Sequence, residues 1–233
     1  MVYDAAVVTD IGNISGPLQL LAGPVPEAVD GYRAIRSAIE SEGALTVAEK
    51  ALLVAAADAV CCDGQLAASE LRRGRAAGLT DDQIVTAASA LLLSRGQRAS
   101  ERLLAAACEL SPERAPAPAS ELGPIEYFLS YNAAVVLPPR LAVLAERSPA
   151  VFEGYFKLHH AVLRARPESS KLAELVLSTL NAADLRGDFA AIHAAGARRA
   201  GATDEELLEA FVCAMAVGGV GAWAVAAGAL LPD

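Results

Sequence analysis

Shifted against itself by 123 positions, this chain matches without a gap, and that self-match limits the folds open to it. Pro26, Gly31 and Tyr32 fall on Pro149, Gly154 and Tyr155, Gly64 on Gly187, and Gly96 on Gly219. The run Gly78-Leu-Thr-Asp-Asp-Gln-Ile falls on Gly201-Ala-Thr-Asp-Glu-Glu-Leu. Glycines and helix-start residues recur together, which shared alanine alone does not produce. Two such units, each burying a face the other exposes, are expected to pack as a pseudo-dimer. The expected organisation is a first repeat over 1–110, a linker with one extra helix over 111–139, and a second repeat over 140–233.

The units read as helical. The chain is 54% hydrophobic, rich in alanine and only 5% aromatic, and its apolar residues recur near period 3.6. An all-α fold follows. In the first unit, helices are expected over 26–40, from Thr46 through Val60, over 65–77 with Gly78 as stop, to about Ser94, and over 97–110. Thr46-Val-Ala-Glu49 and Thr80-Asp-Asp-Gln83 are capping boxes, in which hydroxyl and N3 side chain each satisfy a free backbone N–H. The second unit has the same plan: Ser148-Pro149 to about Arg164, 170–183, 188–200, a Thr203-Asp-Glu-Glu206 box, and a Gly-rich break before a last helix near Trp223. In the linker, Pro112 to Pro118 is Pro-rich, and 124–137 reads as one helix holding Tyr127, Phe128 and Tyr131.

Charge narrows the partners. A net charge of -9 and no basic block disfavour nucleic acid and anionic membranes. The stretch 210–231 carries no charge and is long enough to span a bilayer, but Val217-Gly-Gly-Val-Gly221 interrupts it, so buried short helices are expected instead. The first ten residues lack a signal-like pattern, and Cys61, Cys62, Cys108 and Cys213 make no disulfide framework. A cytoplasmic protein follows, with Cys61 and Cys62 as small buried residues. The apolar helices exceed what one small domain covers, so a homo-oligomer, dimer or trimer, is expected.

The chemistry-bearing residues gather in the second unit. His193 shares a helical face with Phe189, Gly196 and Ala200, and Glu174 lies nineteen positions upstream on a neighbouring helix. Together they form a candidate proton-transfer pair. Tyr127 and Tyr131 are candidates for the wall of a substrate pocket. His160, on a stripe with Phe156 and Leu163, is read as pointing inward, and His159 as facing solvent. No metal site is expected, because His159 and His160 are adjacent rather than one helical turn apart.

The order of these features resembles the carboxymuconolactone decarboxylase family. It runs: capping box, Glu174, long apolar helix, short turn, helix with His193, Arg199-Ala-Gly, Ala-Thr-Asp-Glu-Glu-Leu, apolar helix, Gly-x-Gly. That family shares the all-helical fold of the AhpD-type alkylhydroperoxidases. The peroxidase branch carries Cys-x-x-Cys-x-x-x-His. Here the cysteine positions hold Arg186 and Phe189 in the second unit, and Asp63 and Leu66 in the first, where Ala51 and Glu70 replace the Glu and His. A dithiol peroxidase needs that thiol pair, so the activity is disfavoured. The resemblance implies a cofactor-independent lyase acting on a small carboxylated cyclic or lactone substrate, with no metal. Arg186, in the turn before the His helix, is the candidate to grip the substrate carboxylate. The alternative is a non-catalytic helical module that binds a ligand or builds an oligomer, its sites decayed.

Overall fold

The computed structural model describes residues 16–113 and 115–231. Among these residues every regular element is helical. The all-α expectation holds. In chain order the helices are α1 (Gly16–Gln19), α2 (Pro26–Glu40), α3 (Val47–Cys61), α4 (Gln65–Ala76), α5 (Asp81–Arg95) and α6 (Gln97–Ala106). Then come α7 (Pro124–Tyr131), α8 (Pro139–Arg147), α9 (Pro149–Leu163), α10 (Pro167–Ala183), α11 (Gly187–Arg199) and α12 (Asp204–Ala226), followed by a short 3-10 turn. The leader-like question at residues 1–10 lies outside the described residues.

Local sequence chemistry sets these boundaries. The boxes at Thr46/Glu49, Thr80/Gln83 and Thr203/Glu206 all form, each with both reciprocal bonds. A cap of this kind contributes about 1 kcal/mol. Gly78 and Gly201 close α4 and α11 at φ 94° and 92°, where a Cβ would strain the backbone. Gly219, at φ 63° and ψ -160°, breaks the long apolar helix α12, as the Gly-rich run predicts. At Ser148 the proline stands at the first helical position as expected, but the serine side chain makes no capping bond.

α10 is the axis of the bundle. It packs on α11, α12, α5, α3 and α9, and from Leu172 to Ala183 every residue is buried. A helix apolar nearly all round has to sit inside. α3 is its counterpart, buried from Ala48 to Ala59 apart from Glu49 and packed on α4, α12 and α10. A second, smaller core holds Tyr127, Phe128, Leu141, Phe152 and Phe156 where α7 and α8 meet α9. The span Asp204–Leu230 is long and apolar enough to cross a membrane, and 33% of its most apolar window is buried inside the protein.

Four expectations need correction. The single linker helix over 124–137 is two: α7 ends at Tyr131, Ala133 takes φ 48°, and Pro138-Pro139 starts α8. The last helix of the first unit stops at Ala106 rather than Leu110, since Cys108 adopts φ 60°. The helix holding Glu174 starts at Pro167, not Ser170, because proline suits the first helical turn. Cys61 and Cys62 are exposed at the end of α3, and Cys108 is exposed too; Cys213 alone of the four is buried.

Candidate functional site

Glu174 stands in the middle of α10 with 3% exposure. A buried carboxylate costs several kcal/mol unless hydrogen-bonded, so its partners define the site. Oε2 lies 2.8 Å from Nδ1 of His193 on α11. Oε1 accepts the Tyr131 hydroxyl of α7 at 3.0 Å. The two helices can approach because residue 196 is glycine: a Cβ there would stand 2.5 Å from the Glu174 carboxyl group. Ser178, one turn further along α10, donates to the Ala190 carbonyl and pins α11 beside it.

This arrangement fixes proton positions. A carboxylate only accepts, so His193 donates through Nδ1–H, and the neutral ring keeps its lone pair on Nε2. Tyr131 spends its one hydrogen on Glu174. Burial, reinforced by the Glu174 charge and hydrogen bond, pushes the Tyr131 phenol well above its ordinary value, so it stays protonated. The His193 side chain is 16% exposed, which leaves the ring within reach of solvent or a small molecule.

A second layer surrounds the trio. His159 on α9 is 7% exposed and its Nδ1 lies 2.8 Å from the Tyr127 hydroxyl. Its ring stands edge-on to Tyr131, centroids 4.5 Å apart at 90°. Burial first, then His193, Arg164 and His160, push His159 down to about 3, so it is an uncharged imidazole. Tyr127 and Tyr131 stack at 6.2 Å and 23°. The guanidinium carbon of Arg164 lies over the Tyr131 ring, 5.0 Å from its centroid, and that of Arg199 lies 5.8 Å from it.

A cavity of about 420 Å³ opens on the outer side of these tyrosines. Tyr127, Tyr131, Ser130, His160 and Arg164 form its inner wall, and the strap 118–122 forms the outer one. Glu174 and His193 do not line it; Tyr131 connects the cavity to them.

The sequence candidates divide accordingly. Glu174 and His193 meet, and Tyr131 joins them. Tyr127 and His160 line the cavity. Arg186 does not: it is exposed in the turn before α11, with its guanidinium 4.5 Å from the Phe189 ring centroid. Phe189 is itself 44% exposed, and on the face it was assigned with His193 only Gly196 is buried, His193 and Ala200 being half-buried. The two adjacent histidines exchange roles, since His159 is the buried, hydrogen-bonded one and His160 is half-buried. Spacing carried that signal. Phe152, Phe156, His159 and Leu163 follow a 4-3-4 rhythm and all four are buried. Sequence reasoning missed Arg164 and the 118–122 strap, whose proximity depends on how α7 folds back.

The first half holds a different cluster. At the positions 123 residues before Glu174 and His193 stand Ala51 and Glu70. Glu70, 2% exposed, accepts from Arg36 at 2.6 Å and pairs with Arg73, and Arg36 also binds Glu40 at 2.6 Å. Burial opposes the charge on Arg36, but Glu70 and Glu40 outweigh it and raise its pKa. Among the described residues no group of His, Cys, Asp and Glu is arranged to hold a metal ion.

Within the helical bundle, then, a buried carboxylate bridges an imidazole and a phenol. Residues 149–231 match the model of the Carboxymuconolactone decarboxylase family. No curated protein and no solved structure matches the chain.

Proposed function

We propose that the protein is a cofactor-independent enzyme of the decarboxylase type, moving protons on a small carboxylated cyclic or lactone metabolite. The observation that carries this reading is the Glu174 carboxylate held between His193 Nδ1 and the Tyr131 hydroxyl at 2.8 and 3.0 Å. The family match of 149–231 supports the decarboxylase-type assignment at the level of the family. In such a step the bond to the leaving carboxylate breaks and its electron pair becomes an enolate. A proton from the hydrogen-bonded set Tyr131–Glu174–His193 then goes to the carbon, and the set recovers one from solvent through His193. Glu174 stabilises the imidazolium form of His193 and orients the ring; it is a positioning residue.

We further propose one live site on a two-repeat scaffold. Supporting it, α2 and α9 start at Pro26 and Pro149, and positive-φ Gly78 and Gly96 stand 123 positions before Gly201 and Gly219. Assembly into a homodimer or trimer is in keeping with Leu185, Phe189, Ile192 and Val220 exposed around the α10–α11 turn and the α12 break. A cytoplasmic location, with no nucleic-acid or membrane partner, fits the acidic chain.

The test is turnover of a panel of carboxylated lactones and ring acids, followed by NMR, for the parent and for His193→Ala. Loss of general acid/base help lowers the rate about 100-fold or more. Equal turnover by both proteins would sink the proposal. A non-catalytic binding module is the second reading, because the cavity is not lined by the pair itself. It gains if His193→Ala and Glu174→Ala each lose about 2 kcal/mol or more of stability, as core truncations do.

A further inference from the structure

The cavity wall has an unusual division of hydrogen-bonding roles. Tyr131 lines the cavity and has given its hydrogen to Glu174 at 3.0 Å, so in any further hydrogen bond its oxygen can only accept. Tyr127 is already engaged with His159 Nδ1 at 2.8 Å. The one cation on the wall is Arg164, at the C-terminal end of α9. Among the described residues its guanidinium has no hydrogen-bond or ion-pair partner, only the Tyr131 ring face at 5.0 Å. Five N–H donors in a planar fork are therefore free to take an anion. The anion site and the acceptor oxygen thus lie against one aromatic side chain. The stacked tyrosine rings, Pro118 and Leu122 give the space between them flat apolar surfaces. Its 420 Å³ is ample for one substituted ring.

We infer that this cavity takes a small ring carboxylate that also carries a hydroxyl group, with Arg164 pairing the carboxylate and the Tyr131 oxygen accepting the hydroxyl hydrogen. Arg164 thereby replaces Arg186 as the residue that holds the ligand's negative charge, and Tyr131 becomes the contact between ligand and the Glu174–His193 pair. The assignment rests on the reading of that pair as the reacting site. It makes substrate choice depend on α7, which precedes the family-matched segment. Glu121, exposed on the strap side of the cavity, is the one carboxylate in its lining and opposes an anionic ligand.

The test is calorimetric titration of the full chain with 3- and 4-hydroxybenzoate, benzoate, 4-methoxybenzoate and phenol as probes. At least one hydroxybenzoate should bind about 3–10-fold more tightly than benzoate and 4-methoxybenzoate, the worth of one neutral hydrogen bond. Phenol, lacking the anion, should bind about 10-fold more weakly or not at all. Arg164→Gln should weaken carboxylate probes about 10-fold, and Glu121→Gln should strengthen them. Tyr131→Phe should abolish the preference for the hydroxyl, so that hydroxybenzoates and benzoate bind alike. Arg164 and Glu121 are exposed, so their variants should fold, which circular dichroism verifies. The inference is overturned if no probe binds, if Arg164→Gln binds like the parent, or if the hydroxyl preference survives in Tyr131→Phe. Probe binding without turnover of any substrate would remove the enzymatic reading alone. Turnover of a substrate lacking a hydroxyl would remove this inference alone.

Discussion

Acidification should strike the protein first at His159. In the unfolded chain the ring titrates near 6.5; in the folded protein, burial and the neighbouring His193, Arg164 and His160 push it down to about 3. A group whose folded pKa is depressed adds stability above its unfolded pKa, and that stability drains away as pH falls between the two values. At pH 5 the unfolded state gains RT ln(1 + 10^1.5), so the loss relative to pH 8 is about 2 kcal/mol. That is a large share of the 5–15 kcal/mol typical of a domain. The measurement is urea unfolding at pH 8 and pH 5 for the parent and for His159→Gln. Glutamine keeps a polar group for the Tyr127 hydroxyl but does not titrate. Other groups that shift, such as Asp58, whose carboxyl burial raises, are common to both proteins and cancel in the comparison. The parent should lose about 2 kcal/mol more than the variant over this pH range. Parallel losses would refute the assignment of a buried, uncharged imidazole at this position.

Two further outcomes follow from packing. Glu70→Gln removes the carboxylate shared by Arg36 and Arg73 and leaves buried positive charge, which should cost about 3–5 kcal/mol in a calorimetric melt. A loss below about 1 kcal/mol would show that the cluster is solvated. Gly196→Ala drives a methyl group into the Glu174 carboxyl, 2.5 Å away, and should cost about 1–3 kcal/mol while separating Glu174 from His193. The melt gives the first effect; the His193 ring NMR shifts give the second, and an unmoved ring spectrum contradicts it.

How far the sequence could be read depended on whether the signal was local. All three capping boxes are complete within four residues, and each forms as written. The Glu174–His193 approach was also legible, since two adjacent helices and a glycine at 196 bring those positions together. The errors fall where distant chain decides. His159 and His160 lie on one helix with apolar neighbours on both sides, and only the fold-back of α7 onto α9 selects His159 for burial. Arg164 sits at the end of α9 with no motif around it, and gains significance from Tyr131, thirty-three positions earlier in the chain. Cys61 and Cys62 followed apolar helical text, yet they fall at the helix end, where exposure returns.

On the two-repeat organisation proposed above, the halves have solved one packing problem in opposite ways. Where the second half places His159, Glu174, His193 and Gly196, the first places Arg36, Ala51, Glu70 and Arg73. Removing the carboxylate of Glu174 leaves nothing to orient an imidazole at position 70, so a histidine there would have no partner to hold its tautomer. Exchanging Gly196 for Arg73 closes the space that the carboxylate occupies in the other half. The vacancy is filled by guanidinium groups clamped on Glu70, an arrangement that neutralises itself and leaves no lone pair for chemistry. The second half keeps instead a buried carboxylate hydrogen-bonded to His193, and the linker helix α7 adds the Tyr131 phenol, beside which the cavity opens. An ion-pair cluster anchors α2 and α4 around α3, and α3 supports α10 from behind. On that organisation the filled first site packs, through α3, against the helix that carries Glu174.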